Sequence, residues 1–346
     1  MLIYFLLLLV PLFASFAYPS DGKGVSFVFW LFFLVLLVFT GLRDEIGPDW
    51  IPYQYIFWGV ATVNLEDMDT FSEPGFFLLN YFSDYMGWEI YGVMFICALI
   101  FLFGVFSYAA TTANPWMAIA VVTPYLVYII SMSGIRQAAA IGIGYFMLSK
   151  WQDLPIAVRL LLVGLAMTFH NSAAVFLFFF MFSGKGWMAA RVILAAALAL
   201  AIVFGMSDTE IYTKYSKVYV EENLISGGAF FHVLLSAFPA AIYLIFRKQI
   251  VAAVGENQPV DLASIAVLAA MPLLAVSSTG VDRLTLYFSF IQMWIYPAIA
   301  KTFVEQRDEL RLATGSLVLL IFFVYFLFGT HADAYVPYRN LLFALS

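Results

Sequence analysis

The sequence predicts an all-α, polytopic membrane helix bundle with about 12 transmembrane segments, and three observations carry that expectation. First, 64% of the 346 residues are hydrophobic, 11% are charged and the mean hydropathy is +0.95, far from the mix of a soluble domain. Second, long apolar runs such as 25–40, 93–105 and 317–328 approach the roughly 20 residues a helix needs to cross hydrocarbon. Third, these runs are apolar at every position, whereas the strands of a membrane barrel alternate apolar and polar residues. Disorder, a secreted disulfide scaffold and a cytosolic enzyme are excluded by the same numbers. The net charge of -6 says little about partners, and scattered Lys and Arg offer no basic stripe for nucleic acid.

Apolar segments fall at about 2–17, 25–41, 88–110, 116–131, 135–149, 157–170, 171–182, 187–205, 229–246, 261–278, 282–300 and 312–329. The run from Leu2 to Ala17 lacks the positive n-region of a signal peptide and reads as a first membrane helix. The stretch from Pro155 to Phe182 reads as two short segments meeting at His170-Asn171, because one long helix would place Lys150 and Arg159 opposite Lys185 and Arg191. With that choice ten of the 16 Lys and Arg share one face: Lys23, Lys150, Arg159, Lys185, Arg191, Arg247, Lys248, Lys301, Arg307 and Arg311. That face is assigned to the cytoplasm. Both termini, an amphipathic loop at about 42–87 and a linker at about 207–228 then lie outside, all within a single membrane domain spanning residues 1–346. No internal repeat is visible, which weakens a transporter built from inverted halves.

The polar residues left among the apolar runs gather toward the outer face. They are Arg43-Asp44-Glu45 with Asp49, Glu73 before Pro74-Gly75, Gly134-Ile135-Arg136-Gln137, His170-Asn171, Asp282-Arg283 with Tyr287, and Tyr335 to Arg339. Ionisable groups at membrane depth cost several kcal/mol unless paired or wet, so each is a functional candidate. Arg43, Arg136 and Arg283 suit a phosphate-bearing ligand, since guanidinium forks hold phosphate oxygens bidentately at any working pH. His170, Glu73 and Asp49 are candidates for a general base. Against these stand plainer roles: Arg43 could pair with Asp44 or Glu45, Glu73 could cap the helix that follows it, and His170 could be a hydrogen-bonded hinge. Cys97 reads as a small buried hydrophobe. Gly142 and Gly144 read as helix-packing positions, not a phosphate loop. The three histidines are isolated from acids at metal-ligand spacing, so no metal site and no cofactor is expected.

Five short motifs in order carry a resemblance: Gly41-Leu42-Arg43 with Gly47-Pro48-Asp49-Trp50 and Tyr53; Glu73-Pro74-Gly75-Phe76; Ser133-Gly134-Ile135-Arg136-Gln137-Ala138; Phe169-His170-Asn171-Ser172-Ala173; and Arg283 with Tyr287. From about residue 40 to 340 the chain resembles the EpsG family, which groups with the Wzy-type polysaccharide polymerases of bacterial envelopes. Pro48 departs from the family, which more often has Thr or another small residue before the Asp. The resemblance implies a fold similar to the multi-helix C-type glycosyltransferases without a large soluble domain. It also implies a metal-independent enzyme at the outer face of the bacterial inner membrane, joining undecaprenyl-diphosphate-linked oligosaccharide repeat units into O-antigen, capsule or exopolysaccharide. A flippase and a chain-length regulator of the same pathway are the implied partners, beside the bilayer. His170, Glu73 and Asp49 would serve catalysis; Arg43, Arg136, Gln137, Asn171, Arg283, Tyr287 and Arg339 would bind substrate. A transporter or flippase of lipid-linked sugars and a membrane O-acyltransferase are the rival readings.

Overall fold

The computed structural model describes residues 1–17, 25–63, 65, 73–182, 228–275 and 277–344. Lys23, Lys185, Arg191, the expected segment 187–205, positions 66–72 of the outer loop and nearly all of the linker 207–228 lie outside the described residues. Every other apolar segment read from the sequence is helical, and among the described residues there is no strand, only an isolated antiparallel bridge between Arg43 and Asn340. Among the described residues four helices are long and apolar enough to cross a membrane: Glu89–Ala109, Pro115–Ser133, Gln258–Ala275 and Arg307–Phe328. Ala229–Ile245 and Arg247–Val254 add a fifth if this pair, bent by 87°, is one span, and Leu2–Ala17, Phe27–Gly41, Ile156–Phe169 and Asn171–Phe180 are apolar but shorter. Large apolar side chains such as Phe27, Leu161, Ile245 and Phe328 are exposed, as lipid contact requires and water would penalise.

The chain divides into two compact units, Met1–Ala173 with Tyr296–Ser346, and Ala174–Ile295. In the first, α1 (Leu2–Ala17), α2 (Phe27–Gly41), α3 (Trp50–Ala61), α4 (Pro74–Tyr85) and α5 (Glu89–Ala109) are followed by α6 (Pro115–Val122), which begins with Pro115 at its first turn and the Asn114 side chain accepting from the Met117 amide at 3.1 Å. Pro124 supplies no amide and crowds the preceding turn, and the chain from Thr123 to Ile130 widens into a π-helix. A last turn, Ser131–Ser133, ends at Gly134, whose φ of -81° and ψ of 61° leave the helical region. The chain restarts at once as α7 (Ile135–Ser149), and α8 (Ile156–Phe169) follows.

Close backbone approach holds this unit together. A Cβ on Gly104 of α5 would sit 1.8 Å from the carbonyl oxygen of Gly142 on α7, and one on Gly142 would sit 2.5 Å from the carbonyl of Ile100. Only two glycines allow that crossing. A Cβ on Gly75 in the first turn of α4 would likewise meet Thr168 Oγ1 at 2.3 Å, so the start of α4 lies against the end of α8. α8 stops at Phe169 because His170 is extended, with φ -158° and ψ 120°, and the chain continues as a 3₁₀ turn, Asn171–Phe176. The break expected at His170-Asn171 is therefore present. After α15 (Arg307–Phe328) the terminal stretch returns to the loop after α2. The Asp44 amide donates to the Arg339 carbonyl at 3.1 Å, Leu341 to Leu42 at 2.8 Å and Gly47 to Ala334 at 2.9 Å.

The second unit contains α9 (Leu177–Phe182), α10 (Ala229–Ile245), α11 (Arg247–Val254), α12 (Gln258–Ala270) and α13 (Ser278–Thr285), and α14 (Phe290–Thr302) starts in it. The sharp turn from α10 to α11 is pinned by Arg247, which donates from Nε and Nη2 to the two oxygens of Asp261 on α12 at 2.6 and 2.7 Å, while the Tyr243 hydroxyl donates to the same carboxylate at 2.7 Å.

Candidate active site

Three chain breaks meet in the first unit: the N-terminus of α4, the restart at α7 and the end of α8. Glu73 sits just before Pro74, at the N-cap position of α4, yet its side chain makes no capping bond. The carboxylate is buried and bridges two partners. Oε2 accepts from Arg136 Nη1 at 2.5 Å, and Oε1 faces His170 Nδ1 at 2.5 Å. Arg136 is one third exposed and His170 12% exposed, so both reach from the buried acid toward an open side. The guanidinium carbon of Arg136 stands 5.7 Å from the ring centre of Tyr53 on α3 and 5.6 Å from that of Phe76 on α4, within cation–π range. Its Nε is buried and has no hydrogen-bond partner among the described residues.

Electrostatics fix the roles of this cluster. Burial pushes the Glu73 carboxyl up, but the hydrogen bond with His170 and the charge of Arg136 outweigh it and hold the group below its ordinary value. Glu73 is therefore ionised at neutral pH and accepts only, which requires His170 to carry its proton on Nδ1. With Nδ1 turned to Glu73, Nε2 is the ring nitrogen left to meet a substrate. Glu73 orients the imidazole and neutralises the arginine.

Asp49, at the N-cap position of α3, also makes no capping bond; its Oδ2 accepts from Ser133 Oγ at 2.5 Å, one residue before the break at Gly134. Arg43 departs from expectation. It is fully buried, and its guanidinium donates to the carbonyls of Thr40 at 2.6 Å, Met132 at 2.9 Å and Ile46 at 3.3 Å. Burial pulls it down to about 10, where it still carries its charge at neutral pH. No face of this guanidinium is open to a ligand, so the phosphate-binding expectation is corrected: Arg43 is committed to backbone. Nor does it pair with its neighbours, since Asp44 accepts from Tyr91 and Glu45 pairs with Arg339, both ends of that last pair being more than half exposed.

The EpsG family model matches residues 26–340, nearly the whole chain. The chain belongs to the EpsG family. This is a Wzy-type polymerase-like family, and the membership with the apolar helices makes the chain a polysaccharide polymerase-like membrane protein. No curated protein and no solved structure matches it. The EpsG match takes in every candidate residue. Gln137 is buried beside Arg136, and Asn171 is partly buried at the start of the 3₁₀ turn after His170.

Arg283 and Tyr287 belong to the second unit. Arg283 is exposed on α13, whereas Tyr287 is fully buried with its ring edge-to-face on Phe176 at 5.3 Å. The Tyr287 ring, expected to meet substrate, is thus buried against Phe176. Asp282 meets His232 of α10, Nδ1 to Oδ2 at 3.1 Å, a pair 50 residues apart that no local spacing announces. Sequence reasoning also missed Ser133 as the partner of Asp49 and the two rings over Arg136, although Ser133, Tyr53 and Phe76 all lie inside the motifs quoted above. Among the described residues no group of three or more His, Cys, Asp and Glu is placed to hold a metal ion.

Proposed function

We propose that this chain is a membrane glycosyltransferase that joins undecaprenyl-diphosphate-linked oligosaccharide repeat units into a surface polysaccharide at the outer face of the bacterial cytoplasmic membrane. The observation that carries the reading is the Glu73 carboxylate held at 2.5 Å from both Arg136 and His170. Glycosyl transfer from a lipid diphosphate needs a base for the incoming hydroxyl and a cation for the departing diphosphate, and this cluster holds one of each. His170 Nε2 takes the proton of the acceptor hydroxyl as its oxygen forms the new bond to the anomeric carbon. The bond from that carbon to the diphosphate oxygen breaks, and the lipid diphosphate leaves with the electron pair. Arg136 faces the charge that grows on the leaving oxygens, where a preorganised donor is worth far more than in water. In this reading the transfer proceeds without a metal ion, the shorter apolar helices complete about twelve crossings, and a flippase supplies the substrate while a chain-length regulator limits the product. Similarity to the C-type glycosyltransferases is part of the same proposal.

Surface polymer from cells lacking the chain, complemented with variants, tests the reading. Arg136→Ala is expected to abolish polymer and leave single repeat units on the lipid carrier at normal expression. Arg136→Lys is expected to fall within about tenfold of the alanine variant, because an ammonium cannot reproduce the planar fork between Glu73 and a phosphate. Polymer of normal amount from Arg136→Ala would overturn the proposal.

A further inference from the structure

Among the described residues Arg43 is the largest fully buried side chain, and no carboxylate there lies within hydrogen-bond reach of its charge; backbone oxygens take its donors. Burying an uncompensated guanidinium is costly, so the positions of those oxygens matter. Thr40 and Ile46 lie on either side of Arg43 in the chain. Met132 is 89 residues away, in the last turn before Gly134. In an unbroken helix its carbonyl would accept from the amide four residues on, which is that of Arg136. The break at Gly134 removes that partner, as every helix end does. The guanidinium of Arg43 takes its place.

Two further contacts bear on the same turn. Gly47, at φ +98°, lies so close to the Met132 carbonyl that a Cβ would stand 2.4 Å from its oxygen. Asp49 accepts from the hydroxyl of Ser133. One turn earlier the Tyr335 hydroxyl donates to the Ile129 carbonyl at 3.2 Å. The loop 43–49 thus grips residues 132–133, and Arg136 starts three residues later.

We propose that Arg43 is a positioning residue for the Glu73, Arg136 and His170 cluster: by holding the Met132 carbonyl it sets the break from which α7 departs, and so the reach of Arg136 to Glu73. The effect on turnover rests on the polymerase reading; the effect on Glu73 does not. Arg136 from α7 and His170 from the end of α8 are the charged and titratable groups against Glu73, with Tyr53 of α3 lying over Arg136. If α7 shifts, Glu73 loses the guanidinium that keeps it ionised.

Infrared difference titration of the full chain in lipid nanodiscs reads this directly, with the Glu73 carboxyl band assigned by its loss in Glu73→Gln. In Arg43→Lys, which keeps a charge but cannot span three carbonyls, the Glu73 midpoint is expected to rise by about one pH unit. With lipid-linked repeat units, kcat is expected to fall at least about tenfold while KM stays within about twofold. A folded Arg43→Lys whose midpoint stays at the wild-type value overturns the proposal. Should Arg43→Lys fail to fold, Gly47→Ala decides, because its Cβ pushes on the same carbonyl and must also raise the midpoint; no change there overturns it equally. If the wild type forms no polymer, the polymerase reading falls, and the midpoints still decide the role of Arg43.

Discussion

At the scale of single residues, the site turns on a carboxylate whose charge is held by its neighbours. Because the folded Glu73 carboxyl lies below its ordinary value of 4.5, the ionised cluster stabilises the fold fully above that value. The contribution is lost as pH falls through the lower, folded value. Thermal unfolding followed on the acid side is therefore expected to drop more steeply with falling pH in the wild type than in Glu73→Gln, and parallel curves would show that Glu73 is not held ionised. For the base, His170→Gln is expected to lower turnover by about 10² to 10⁴. Asp49→Asn, which keeps an acceptor for Ser133, is expected to be milder; an inactive Asp49→Asn beside an active His170→Gln would move the base to Asp49. That Glu73, Arg136 and His170 stand apart was legible, since each is a polar residue stranded between apolar runs. Their joining was not, because 63 and 97 residues separate Glu73 from its partners. Arg43 and Arg136 were both read as phosphate ligands; only folding decides whether a guanidinium faces an opening or a carbonyl.

Helices place these residues through their contacts and their breaks. The crossing of α5 and α7 at Gly104 and Gly142 sets where Arg136, at the start of α7, can lie. Gly104→Ala is expected to lower thermal stability by at least about 1–3 kcal/mol through overpacking against backbone that cannot yield. Gly164→Ala in α8, where a Cβ meets nothing within 4 Å, is expected to be neutral or to stabilise by up to about 1 kcal/mol. Equal melting temperatures for the two variants would contradict the close crossing. Helix identity was legible from apolar runs, and the stop at His170 from the sidedness of Lys and Arg. The π-helical stretch after Thr123 was not, although Pro124 is its visible cause. Nor was the bend of 87° after Ile245, which has neither Pro nor Gly and is fixed by the bond from Arg247 to Asp261.

For the molecule as a whole, composition alone shows a membrane bundle, because so few charges remain for water. Its division into two compact units left no mark in the sequence, since apolar helices build both. The sidedness expected from Lys and Arg places Glu45 outside and Lys150, at the far end of α7 from Arg136, inside. Glu45→Cys is expected to react with an impermeant thiol reagent in intact cells and Lys150→Cys only after the membrane is opened; the reverse pattern would invert the orientation. The central claim is that the carboxylate joining Arg136 to His170 belongs to the active centre of a polymerase. It is tested most directly by supplying purified chain in proteoliposomes with one defined lipid-diphosphate-linked repeat unit and measuring polymer and released lipid diphosphate for wild type and Glu73→Gln. The wild type is expected to release one lipid diphosphate per bond formed, with Glu73→Gln at least about 10²-fold slower though folded; polymer formed by Glu73→Gln at the wild-type rate would contradict it.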